Sequence, residues 1–231
     1  MLEDPLFWLF AAPGLLLGLY AQSRIKLNFT KYSQVPTRNG ITGAQVAREL
    51  LDAQGLNAVK IDSAPGMLSD HYDPRSKVLR LSQEVYNTPS LAAAGVAAHE
   101  TGHALQDAVD YFPMELRSYI VPVVQLSAKI APWLFLAGLI LGITPLAWLG
   151  VILFGLQTLF TLVTLPVEFD ASARARDLLL KAHIIEGDEQ VAGVEKVLRA
   201  AAWTYVAGAV SAIGSLLYIV LLVFSAARRS S

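Results

Sequence analysis

The sequence predicts a mainly α membrane protein, with about four transmembrane helices and a polar α+β region that carries a short β-sheet. Three observations predict it. Four apolar blocks, residues 6–21, 119–143, 146–167 and 203–227, approach or exceed the roughly 20 residues a spanning helix needs. Only 16% of the 231 residues are charged and mean hydropathy is +0.47, whereas about 25% of a soluble chain is charged. The largest polar region, residues 22–118, contains two short runs with the two-residue alternation of strands.

The first block, LFWLFAAPGLLLGLYA, carries no charge. It is preceded by Glu3 and Asp4 rather than by Lys or Arg, so it is expected to be a retained anchor and not a cleaved signal peptide. The second block holds one charge, Lys129, expected to snorkel towards the interface. The second and third blocks are separated only by Gly142, Ile143, Thr144 and Pro145, residues that mark a tight turn and an antiparallel hairpin. Small residues in the fourth block (Ala207, Gly208, Ala209 and Gly214) suit helix packing and are compatible with a homo-oligomer. Arg24, Lys26, Lys31 and Arg38 follow the first span. In a four-span chain Arg117, Arg174, Arg176, Lys181, Lys196 and Arg199 fall on that same side, and only Arg228 and Arg229 fall opposite. The positive-inside rule then puts the N-terminus outside and both long polar regions in the cytoplasm of a multi-pass plasma-membrane protein.

Within the polar region, Thr42 can cap a helix over 43–54 that Gly55 ends, with Val46, Leu50 and Leu51 on one face. Residues 57–62 read as a strand, 70–76 as a turn and 77–82 as a second strand. Ser90 can cap a helix from 91 to about 107. Beyond the third span, Pro166 is expected to open a helix over 168–182, and another starts at Gly187 and runs uninterrupted into the fourth span.

The helix at 91–107 carries the chemistry. His99-Glu100-Thr101-Gly102-His103 is H-E-x-x-H, which places two imidazoles one helical turn apart on one face, where both can reach one zinc ion. Glu100 stands beside that metal as a general base towards water. Gly102 costs about 1 kcal/mol in a helix interior, so a close neighbour is expected there. With no cysteine, the remaining ligand must be His, Asp or Glu. Glu168 is preferred over His71 and His183, because the hairpin returns residue 168 to the membrane face near which the metal helix lies. The simpler reading of Glu168 is a carboxylate in a helix's first turn, and the two are compatible. Net charge is −1, which gives no reason to expect a nucleic-acid partner.

The motif HETGHALQ, the stretch LPVEFDASARA at 165–175, VLRAAAWTYVA at 197–207 and DHYDPRSKVLRLS at 70–82 together resemble the YugP-type membrane zinc metallopeptidases of bacteria. A looser likeness extends to the HtpX and CAAX-prenyl protease group, whose third ligand lies in E-x-x-A-D. Here that pattern reads Glu168-Phe169-Asp170-Ala171-Ser172, with Ser172 in place of the Asp that supports a zinc-binding histidine in that group; Ser172 or Asp170 is left to fill that role.

The resemblance implies a zincin-like catalytic region and a polypeptide substrate in or near the lipid bilayer. In such peptidases an edge strand before the metal helix takes up extended substrate, which here would be residues 78–82; the other reading of these residues is an ordinary buried strand. Arg174 and Tyr205 are candidates to stabilise the oxyanion, although a helix-surface charge for Arg174 and an interface anchor for Tyr205 are the preferred readings. The expected division is 1–22, N-terminal anchor; 23–118, catalytic region; 119–167, transmembrane hairpin; 168–202, helical region with the third metal ligand; and 203–231, C-terminal span. The expected function is an integral membrane zinc endopeptidase with metal ligands His99, His103 and Glu168 and general base Glu100. The alternative is a non-catalytic membrane protein with a structural zinc site, which would need a fourth protein ligand such as His71.

Overall fold

The computed structural model describes residues 4–230, with side chains through 228; Glu3 and the side chain of Arg229 lie outside the described residues. The elements in order are α1 (Pro5–Tyr32), α2 (Gly43–Ala53), β1 (Lys60–Ala64), β2 (His71–Asp73), β3 (Val78–Ser82), α3 (Gln83–Asn87), α4 (Leu91–Ala108), α5 (Phe112–Ile140), α6 (Thr144–Lys181) and α7 (Gly187–Ser230). The fold is mainly α with one short sheet. Four helices, α1, α5, α6 and α7, are long and apolar enough to cross a membrane. The chain divides into two compact units. One holds the described residues of 1–20, 115–165 and 204–231, and the other holds 21–114 and 166–203.

The first unit is made of apolar helical segments. Gly142, at φ +70°, turns the chain between α5 and α6, and the Ile143 amide donates to the Gly138 carbonyl. The Phe135 and Phe154 rings then meet edge to face across the hairpin. Large apolar side chains including Leu9, Leu16, Trp133 and Ile140 remain uncovered. Such a surface is costly in water but ordinary against lipid. Lys129 is exposed and, among the described residues, pairs with no carboxylate.

The second unit has its own core, in which Val46, Leu50, Leu51, Leu79, Leu81, Leu91, Leu179, Ile185 and Val194 are buried together. α2 begins in a capping box: Gln45 N–H donates to Thr42 Oγ1, and the Thr42 amide donates to the Gln45 side chain. Its buried stripe of Val46, Ala47, Leu50 and Leu51 packs on α4. Ser90 caps α4 by accepting from Ala93 N–H. The alanines at 92–94, 97 and 98 are all buried, so this helix is thin on its packed side and its neighbours come close.

The sheet corrects two sequence expectations and decides between two readings of residues 78–82. Its order is β1-β3-β2, with β1 parallel and β2 antiparallel to β3. The first strand starts at Lys60 rather than 57, because the chain from Leu56 to Val59 is a turn braced by Arg48, whose guanidinium donates to both carbonyls. Residues 71–73, expected within a turn, pair as β2 against Arg80, Leu79 and Val78. β3 is therefore central and not an edge. Just before β2, the Asp70 carboxylate also accepts from the Ser82 amide and hydroxyl.

A third correction concerns α6. Pro166 lies inside one continuous helix rather than opening a new one. An interior proline removes one amide donor and its ring crowds the carbonyl four residues back. Val167, next in the chain, and Ala171, just over one turn on, are fully buried in the continuous helix.

Candidate metal centre

All the groups of this site belong to the second unit. α4 contributes His99, Glu100, His103 and Gln106, and α6 contributes Glu168, Asp170, Ser172 and Arg174. The crossing of these helices is set by Gly102. A Cβ at that position would stand 2.6 Å from the Ala171 carbonyl oxygen, so only glycine lets the backbones come this close. The close neighbour expected from the sequence is thus the backbone of α6.

This approach brings His99, His103 and Glu168 together. His99 Nε2 lies 3.2 Å and His103 Nε2 lies 3.4 Å from the same oxygen, Glu168 Oε2. One potential ligand atom from each residue lies within 4.8 Å of the others. Zinc bonds of 2.0–2.1 Å in a tetrahedron place ligand atoms about 3.3 Å apart. The two spacings to Glu168 bracket that value and the three atoms all lie within 4.8 Å of one another, so this donor set can take a zinc ion. Glu168 is 2% exposed and His103 7%, which shields the site on the protein side.

Each imidazole is held through its other nitrogen. His103 Nδ1 lies 2.9 Å from Gln106 Oε1, and His99 Nδ1 lies 3.2 Å from Ser172 Oγ. Gln106 is fully buried; its Nε2 donates to Val167 O and to Asp170 Oδ2, both at 2.8 Å. Asp170 also receives Arg174 Nε, and the Arg174 guanidinium lies over the Tyr111 ring. Ser172 and Asp170, the two substitutes considered from the sequence, thus both reach the site, Ser172 directly and Asp170 through Gln106. Arg174 is committed to Asp170. Tyr205 belongs to the first unit.

Glu100 is 7% exposed and, among the described residues, makes no hydrogen bond or ion pair. A carboxylate held out of bulk solvent yet not committed to a protein donor is available for proton transfer. Its charge also acts on His103. Burial alone would lower the His103 pKa, but the hydrogen bond to Glu168 and the charges of Glu100 and Glu168 outweigh it, so this imidazole is more basic than an ordinary histidine.

The other histidines lie elsewhere. His71, on β2, is exposed, with Nδ1 against Ser69 O. His183 is largely exposed and pairs with Glu186. Asp107, at the end of α4, accepts from both Tyr72 Oη and Lys77 Nζ, which ties the metal helix to β2 and to the residue before β3. Burial, together with Asp107, pushes the Tyr72 hydroxyl well above the usual phenol range.

Sequence reasoning gave Gln106 no role. The available signal was its position three residues beyond His103, a polar side chain on the same face of an alanine-rich helix.

Comparison with known proteins agrees with this chemistry. A family model described as "Putative neutral zinc metallopeptidase" matches residues 7–224. The "Putative membrane protease YugP" of Bacillus subtilis (strain 168) is 46% identical over 217 residues, 94% of this chain and 95% of that protein. No solved structure matches. With a match across nearly its whole length, the chain belongs to the family described as "Putative neutral zinc metallopeptidase".

Proposed function

We propose that this protein is an integral membrane zinc endopeptidase, with zinc held by His99, His103 and Glu168 and with Glu100 as the general base. The observation that carries this reading is the convergence of two imidazole Nε2 atoms on one carboxylate oxygen at the spacing of a tetrahedral zinc site. A zinc ion bound there supplies Lewis acidity, polarising a water and the scissile carbonyl. The protein's own groups do the rest. Glu100 follows His99 directly on α4, takes a proton from the attacking water and then delivers it to the departing amine. Glu168 offsets one positive charge of the metal, and the buried walls on the α4–α6 side keep competing water away from the ligands.

Three protein ligands with an open position suit catalysis rather than structure. The structural-zinc alternative needs a fourth protein ligand. Among the described residues the cluster contains three, and His71 is spent on an exposed strand. The four apolar helices and the peptidase family favour polypeptides in or beside the bilayer as substrates; the lysines and arginines that flank the spans are what favour the cytoplasmic side for the catalytic part.

The test is zinc content together with cleavage of an unfolded reporter polypeptide, wild type against Glu100→Gln. Equal zinc, with cleavage lower by about 10²–10⁴-fold in the variant, is expected. Zinc uptake with no cleavage by either protein would argue for the structural alternative.

A further inference from the structure

We infer that Gln106 is a positioning residue for His103, fixing the imidazole in the one neutral tautomer that can bind metal, and that Asp170 and Arg174 hold Gln106 in that role. This rests on the metal reading above.

The direction of the Gln106 amide follows from its partners. One end faces the Val167 carbonyl and the Asp170 carboxylate, both at 2.8 Å, and neither can donate a hydrogen bond as a carbonyl or a carboxylate. That end must be the NH₂ group, and both of its protons are used. The other end is then the carbonyl oxygen, which can only accept. It lies 2.9 Å from His103 Nδ1, so that nitrogen carries the proton. In the neutral ring the lone pair is left on Nε2, the atom that faces Glu168. A flipped amide would set its oxygen against two acceptors, so the arrangement has one stable state. Gln106 is fully buried, and water cannot take over any of these bonds. Arg174 closes the chain: its Nε donates to the Asp170 oxygen that receives Gln106, and its guanidinium is braced on Tyr111.

A neutral amide in this place has a chemical consequence. A carboxylate partner raises the basicity of a zinc-binding histidine. An amide orients the ring without adding negative charge, so the bound metal keeps more of its positive charge for polarising water and the scissile carbonyl.

A buried glutamine could instead do no more than join two helices. Zinc affinity of the folded protein separates the two roles. The full chain is purified in detergent, and zinc binding is measured by competition with a chelator for wild type, Gln106→Met and Asp170→Ala, with circular dichroism as the check on folding. The expected result is zinc binding about 10–100-fold weaker in Gln106→Met and a smaller loss in Asp170→Ala, which loosens Gln106 without touching His103. The visible spectrum of the cobalt(II)-loaded Gln106→Met should also differ from wild type. Wild-type affinity in folded Gln106→Met overturns the inference. Should that variant not fold, unchanged affinity in Asp170→Ala overturns it. If wild type itself takes up no zinc, the metal reading fails and this inference with it; if wild type binds zinc and both variants bind it equally, only this inference fails.

Discussion

Gly102 on α4 faces the backbone carbonyl of Ala171 on α6, with no room between them for a side chain. This contact is what allows two histidines on one helix and a carboxylate on another to share one point in space. Gly102→Ala therefore sets two effects against each other. Alanine gains about 1 kcal/mol of helix propensity over glycine. The forced separation of two packed backbones costs about 1–3 kcal/mol, because the obstacle is a carbonyl and not a flexible side chain. The steric effect should win, and zinc affinity should fall because the Glu168-to-imidazole distances open. Chemical denaturation and chelator competition on the same preparation check both parts. A variant more stable than wild type with unchanged zinc affinity would show that the helices are not held at contact distance.

Ser172 Oγ is the partner of His99 Nδ1, at 3.2 Å. Ser172→Ala removes that partner and should weaken zinc binding by about tenfold, the low end for loss of a group behind a ligand. Wild-type affinity in Ser172→Ala, measured by chelator competition, would mean that His99 is oriented by packing alone.

The raised pKa of His103 gives the metal-free protein a defined pH response. A histidine more basic in the folded state than in the unfolded chain contributes stability that is fully present below the unfolded value. That contribution is lost as pH rises through the folded value. Metal-free protein should therefore melt at lower temperature as pH increases from about 6 upward, starting from the unperturbed histidine pKa of about 6.5. Zinc needs the neutral imidazole, so its apparent affinity should rise over the same interval. Melting curves in chelator at several pH values, for wild type and Glu168→Gln, check the first point; an identical slope in the two proteins would remove Glu168 as the cause.

The chain has no cysteine, so an introduced one reports its own side of the membrane. Met67 is 79% exposed, in the loop between β1 and β2. Met67→Cys should be protected from a membrane-impermeant thiol reagent in intact cells and should react after lysis. Labelling in intact cells would place the second unit outside the cytoplasm.

Much of this was legible in the sequence, for identifiable reasons. Spanning helices follow from long apolar runs, which local composition determines. The metal helix follows from Ser90 as a cap and from i,i+4 spacing. Glu168 was reachable because a four-residue turn constrains where the third span returns. What was missed depends on tertiary contacts. Pro166 reads locally as a helix start, yet α6 runs unbroken through it and Val167 and Ala171 beyond it are fully buried. The strand at 71–73 is three residues long and is defined only by pairing with β3. The centrality of β3 is likewise a property of pairing, and no alternation pattern reveals it. Gln106 looks like any polar residue near a helix end until Val167 and Asp170 are placed against it.

The ligand set is tested most directly by zinc stoichiometry. Wild type and Glu168→Gln are purified in parallel, loaded with zinc, freed of excess metal and analysed for bound metal per chain. One zinc in wild type and none retained in Glu168→Gln is the expected result, because a neutral amide cannot replace the carboxylate on which both Nε2 atoms converge. One tightly held zinc in Glu168→Gln would contradict it and would place the metal on other residues.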